Sequence, residues 1–272
     1  MIELNIKLLC KKTYKSLLAL MIMFSIFPQF TETVVAEETT IPVEQFATVE
    51  QLKNFNTNDG DGEAKAAKVY FGNYDQQWWI AGSQNGNLTL FAASPLVNDV
   101  VFNQDTNEKD YNGQQVYSNH YGASDIRNTL KGLETSFFTR AEQYLMNETT
   151  IYTNDTKNNS VYSTTDKLYL AYGQYSTQYI TVGTNSSDSL NEDLRIDKNY
   201  FGNDSFWLRA PHDRESYYAL LVFINNWMPT GNVIPGNVTL GSTLKPAFEL
   251  NLSSVIFASA VPAATSGGGF IN

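Results

Sequence analysis

The chain has 272 residues and a formal net charge of −10, with 42% hydrophobic, 13% aromatic and 17% charged residues. That length holds one large or two small domains, and the apolar fraction is enough to fill a core, which excludes wholesale disorder. A pI near 4.7 argues against nucleic acid and other polyanions as partners.

Lys7, Lys11, Lys12 and Lys15 make a basic start, and Leu17 to Phe27 follows as an apolar run broken only by Ser25. Pro28 closes the run, and Val34 and Ala36 stand at −3 and −1 of a cleavage site. The succession predicts a signal peptide over 1–36 and a secreted, extracellular product. The run has eleven residues, whereas a bilayer span takes about 20, so no membrane association is expected after cleavage. The one cysteine, Cys10, precedes the run, where a lipid-anchored cysteine would follow it. Cleavage therefore removes thiol nucleophiles, cysteine–metal sites and disulfides together. It also removes four Lys and two Glu, leaving 14 basic against 26 acidic groups and a charge of −12.

Residues 37–66 are polar and acidic and are expected to form a linker. Asp59, Asp61 and Glu63 alternate as in a calcium loop, but Ala64 stands where such a loop needs glycine. One domain is expected over 67–260, with 261–272 as a flexible tail containing Ser-Gly-Gly-Gly. Strand character recurs at 68–71, 77–81, 87–93 and 167–172, then at 205–209, 218–224, 232–240 and 245–250. Gln84-Asn85-Gly86-Asn87 predicts a hairpin turn. Between these lie two helical signals. Ser124 caps a segment carrying Ile126 and Leu130, which Gly132 is expected to end, and Thr139-Arg140-Ala141-Glu142 has the capping-box pattern. The stretches 154–164 and 184–203 are expected to be loops. Short strands with two helices predict an α+β domain.

Four segments carry a family likeness. They are His120-Tyr121-Gly122-Ala123-Ser124-Asp125-Ile126-Arg127 with Phe137, Phe138 and Glu142; Asp166-Lys167-Leu168-Tyr169-Leu170; Phe206-Trp207-Leu208-Arg209-Ala210-Pro211; and Leu244-Lys245-Pro246-Ala247-Phe248-Glu249-Leu250. In that order they resemble an uncharacterised domain family of Gram-positive secreted and surface proteins. The likeness covers roughly 67–260. That family looks like a relative of the C-type-lectin-like fold, which also houses formylglycine-generating enzymes. The resemblance implies twisted antiparallel strands, two short helices and long loops, and it implies no activity.

Each candidate chemistry has a weak point. Calcium-dependent sugar binding in such relatives needs a Glu-Pro-Asn or Gln-Pro-Asp loop, and Asn225-Asn226-Trp227-Met228-Pro229 is only an echo of one. Formylglycine chemistry needs cysteines. His120, Ser124 and Asp125 contain the letters of a triad, but Ser124 reads as a cap and no nucleophile elbow surrounds it. Two histidines, His120 and His212, are too few for a three-ligand zinc site. Carboxylate pairs are plentiful, and no spacing singles one out, Asp193 with Asp197 included. Arg127 and Arg209 lie in apolar segments where an unpaired charge is costly. They are expected to be structural, meeting Asp166, Asp125, Glu142 or loop carbonyls, with Trp207 in the core.

The remaining signal is aromatic: 32 Tyr, Phe and Trp in the 236 residues after position 36. Tyr172, Tyr175, Tyr179, Tyr217, Tyr218 and Trp227 stand beside segments rich in Asn, Ser and Thr, a composition that suits an adaptable binding surface. Tyr175, Tyr179, Tyr217 and Trp227 are the expected contacts. The leading expectation is a non-enzymatic binding domain that meets a protein or glycan surface through loops 173–203 and 212–237. In that reading Asn225, Asn226 and Asn232 supply hydrogen bonds, and no metal or cofactor takes part. The alternatives are an extracellular hydrolase acting on cell-wall glycan through a carboxylate pair, and a spacer module of a surface protein.

Overall fold

A computed structural model describes residues 45–47, 68–73, 76–185, 194–254 and 258–261. The expected signal peptide, most of the expected linker, Asp193 and the expected tail beyond Val261 lie outside the described residues. All described residues belong to one compact unit that starts at Gln45.

The largest sheet has seven strands. Its order is Gln45–Ala47, Ala258–Val261, Lys68–Tyr70, Gln77–Gln84, Asn87–Ala92, Pro246–Asn251 and Tyr169–Leu170, with every pair antiparallel. The edge strand at 45–47 falls in the stretch read as a linker, where three residues are too few to show strand alternation. The turn joining Gln77–Gln84 to Asn87–Ala92 has positive φ at Asn85 (52°) and Gly86 (79°), as an Asn-Gly hairpin requires. A five-stranded sheet follows the order Met228–Asn237, Tyr218–Asn225, Phe206–Pro211, Gly241–Leu244 and Val97–Val101. Only its Phe206–Pro211 and Gly241–Leu244 pairing is parallel. Tyr172–Gly173, Tyr179–Thr181 and Arg195–Asp197 form a small third sheet, and two hairpins complete the set.

One hairpin, Lys109–Tyr111 with Gln114–Val116, has no counterpart in the sequence reading. The other, Thr149–Asp155 with Ser160–Asp166, replaces most of the loop expected over 154–164. Its inward positions include Thr149, Thr153, Asp155, Thr164 and Asp166, so the alternation that marks a strand is written in polar residues.

Two helices, α1 (Asp125–Ser136) and α2 (Arg140–Leu145), lie between the sheets in sequence. Ser124 caps α1 by accepting from the Arg127 amide, and Thr139 with Glu142 forms the capping box of α2. Gly132 does not end α1. A side chain there would meet nothing within 4 Å, so glycine costs only about 1 kcal/mol of helix propensity and the helix continues. Mostly antiparallel sheets with two short helices make this an α+β architecture, with no closed barrel among the described residues.

Trp207, fully buried on the central strand of the five-stranded sheet, organises that half of the core. Its ring meets Phe102 edge-on at 5.6 Å, and its Nε1 donates to the Val100 carbonyl at 2.8 Å. The Ile126 amide donates to the Phe102 carbonyl, which docks the start of α1 on the same cluster. Gly236 faces the ring, and a Cβ there would come within 2.2 Å of Leu221 and 3.0 Å of Trp207. With no room to collapse around a void, Trp207→Ala is expected to destabilise the fold by about 3–5 kcal/mol in urea unfolding. A loss under about 1 kcal/mol would show that the ring is not a core element.

Candidate functional site

The buried charges come first, because they fix what remains free for function. Arg127 Nε donates to both Asp166 oxygens at 3.0 and 2.9 Å, and its Nη2 lies 2.8 Å from Oδ1. Burial works against the guanidinium charge, but the bonds to Asp166 and its charge outweigh burial and hold the pKa above its ordinary value. Arg209 is wholly buried, and among the described residues no carboxylate pairs with it. It donates instead to the carbonyls of Leu170 (2.7 Å), Gly183 (2.9 Å), Asn185 (2.9 Å) and Tyr152 (3.4 Å), and burial pushes its pKa down.

Buried carboxylates are similarly engaged. Glu142 accepts from the amides of Gly72 and Thr139, and Asp155 accepts from the amides of Lys157 and Asn158. The triad letters do not form a triad. Ser124 Oγ donates to the Tyr121 carbonyl at 2.6 Å, and Asp125 accepts from the Gln104 amide. His120 is buried and stacked on Tyr162 at 3.7 Å, and burial drives its pKa to about 4. Among the described residues no group of three or more His, Cys, Asp or Glu could hold a metal ion. No described helix is long and apolar enough to cross a membrane.

What remains is a row of rings. The turn 212–217, which joins Phe206–Pro211 to Tyr218–Asn225, is pinned from below by Ser118 and Asn119, both buried. Asn119 Nδ2 faces the carbonyls of Glu215 and Tyr218 at 3.0 Å and of His212 at 3.4 Å, and Ser118 Oγ donates to Ser216. Within the turn the Glu215 amide donates to His212 Nδ1 at 3.2 Å, which sets the imidazole plane. On the neighbouring edge, the Ser176 amide donates to the Val233 carbonyl and the Val233 amide to Thr177. Ser176 has φ +65°, and the tight bend places Tyr175 against His212. The rings then run Tyr175, His212, Tyr218 and Tyr217, with centroid separations of 6.2, 6.2 and 4.8 Å. Tyr175 is 61% exposed and Tyr217 37%.

The expected residues therefore divide. Tyr175, Tyr217 and Tyr218 share this row, together with His212, which was not among the expected ligand contacts. Tyr179 stands apart on the small sheet, its ring under the Arg195 guanidinium at 3.7 Å. Trp227, 91% exposed, sits at the far turn of the hairpin, where its amide donates to Asn225 Oδ1 beside exposed Asn226. Ten residues separate it from Tyr217 along one strand, roughly 30 Å at about 3.3 Å per residue. Asn232 lies opposite Phe223, with its Oδ1 buried and unpartnered rather than offered to solvent.

Comparison with family models, with curated proteins and with solved structures finds no match to this chain.

The Arg127–Asp166 pair permits a direct measurement. Asp166→Asn leaves a half-buried guanidinium short of its partner and is expected to cost about 3–5 kcal/mol. Arg127→Met in the same background should recover part of that loss, because the two changes share one interaction. Simple additivity in a double-mutant cycle would contradict the pairing.

Proposed function

We propose that the chain is a secreted, non-enzymatic binding domain that recognises a protein or glycan surface through the ring row Tyr175, His212, Tyr218 and Tyr217. The carrying observation is how the row is built. Two partly exposed tyrosines stand on turns whose backbone carbonyls and amides are already satisfied by Asn119, Ser118 and Val233. Rings held this way lose little conformational freedom on binding, and tyrosine offers both a stacking face and a hydroxyl. Trp227 supplies a second, separate contact at the other end of the hairpin.

The basic, apolar and small-residue succession over 7–36 supports export. The C-type-lectin-like arrangement belongs to the same proposal; its supports are the ordered motifs and the mixture of antiparallel sheets with two helices. The hydrolase alternative finds less support, since Glu142, Asp155 and Asp166 are all bound to structural partners. A spacer gives no reason to expose Tyr175 and Trp227 so fully.

The test is a screen of the secreted protein on glycan arrays and against extracellular proteins. A ligand found there is expected to lose about 2 kcal/mol of affinity on Tyr175→Ala or Tyr217→Ala. Tyr144→Ala, which removes a ring 80% exposed on α2, should leave affinity unchanged. Binding should also survive a chelator. Collapse of affinity in EDTA, or indifference to both tyrosine variants, places the site elsewhere.

A further inference from the structure

Lys245 lies between the strands Gly241–Leu244 and Pro246–Asn251 and is 1% exposed. Its Nζ donates to one acceptor, the Phe201 carbonyl, at 2.6 Å. The rings of Phe91 and Phe206 flank it, with centroids at 5.1 and 5.0 Å. Gly202, at φ +81°, passes over the amine so closely that a Cβ there would lie 3.6 Å from Nζ. Among the described residues Lys245 makes no ion pair. The charges that face it are Asp204, which favours its proton, and Lys68, which disfavours it, while Lys198 and Tyr200 lie on the adjoining turn.

The acceptor sits at a mechanical junction. Phe201 packs beneath the far end of the Tyr218–Asn225/Met228–Asn237 hairpin, where a Cβ on Gly231 would come within 2.9 Å of its ring. Four residues on, Ser205 Oγ accepts from the Ile224 amide at 2.9 Å and donates to the Ile224 carbonyl at 3.2 Å. Segment 201–205 is thus the floor under the turn that carries Trp227; its Ser205 end is tied by the carbonyl to Ser242 and Thr243, and Lys245 holds its Phe201 end by one hydrogen bond.

We infer that Lys245 is a pH-dependent latch whose neutral amine locks segment 201–205 under the Trp227 turn, and whose protonation releases that segment. A buried ammonium there keeps one carbonyl and two aromatic faces, which replace its lost hydration only in part, whereas an opened segment lets water and Asp204 reach it. Burial lowers the closed-state pKa to about 7, and solvation in the open state restores the ordinary 10.5. Opening therefore takes up a proton between those values. Each pH unit lost from 10.5 towards 7 favours opening by up to about tenfold, and the effect levels off below about 7.

Native-state amide hydrogen exchange on the whole protein, corrected for intrinsic rates, tests the latch without any ligand, so it is independent of the binding proposal. Between about pH 9 and about pH 6, wild-type protection in 201–205 and 224–231 is expected to fall at least tenfold, while strand 87–92 changes less. In Lys245→Met the two segments should show no such dependence. Should that variant fail to fold, Asp204→Asn decides, because losing the facing carboxylate must move the levelling-off point to lower pH. Equal wild-type protection at both pH values, the same response in Lys245→Met, or an unmoved levelling-off point in Asp204→Asn overturns the latch.

Discussion

The guanidinium of Arg209 is the constraint on which the arrangement of the sheets depends. Arg209 projects from the central strand of the five-stranded sheet and bonds to carbonyls from three other units. Leu170 belongs to the edge of the seven-stranded sheet, Gly183 and Asn185 follow the small sheet, and Tyr152 belongs to the polar hairpin. Its own amide donates to Ala171, next to the first of them. Carbonyls buried at such a junction need a donor, because one left without is costly away from water. Arginine answers this with five donors in a planar fork, which no apolar residue of similar volume supplies. Desolvating the charge is costly, so the arrangement specifies how the sheets meet more than it adds stability.

The same logic decides how much of this fold is legible in the sequence. An arginine inside Phe-Trp-Leu-Arg-Ala-Pro signals a buried partner from residue type alone, but the carbonyls that serve Arg209 come from positions without any side-chain signature. Strands with apolar inward faces, such as Asn87–Ala92, declare themselves through composition and the Asn-Gly turn before them. The hairpin Thr149–Asp155 with Ser160–Asp166 does not, because its inward face carries Thr and Asp to meet Arg127 and its neighbours. Pairing between 45–47 and 258–261 joins opposite ends of the described chain, and no local pattern encodes it.

The ring row shows a related boundary. Tyr175 and Tyr217 are visible in the sequence as tyrosines among small polar residues, yet so are Tyr179 and Trp227, and the four do not share a surface. Adjacency to a polar segment marks the end of a strand without saying which end. In an eight-residue strand such as Tyr218–Asn225 the two ends face different neighbourhoods. His212 and Tyr218 complete the row because the turn between them is closed on Asn119, about a hundred residues upstream.

The two ends of that hairpin are secured by different chemistry, and this assigns them different roles. At the Tyr217 end the anchors are an amide and a hydroxyl, Asn119 and Ser118, whose hydrogen bonds do not titrate. A turn anchored in this way loses little freedom when its rings are contacted. At the Trp227 end Ser205 Oγ bonds to Ile224, and beneath it the amine of Lys245, buried among phenylalanines, bonds to a single carbonyl. An apolar side chain of similar length would spare the desolvation of an amine but leave the Phe201 carbonyl without its donor. In the inferred latch, a proton taken up by that amine loosens the floor beneath Trp227, the most exposed tryptophan of the described chain, whereas Asn119 and Ser118 hold the other turn through groups that do not titrate.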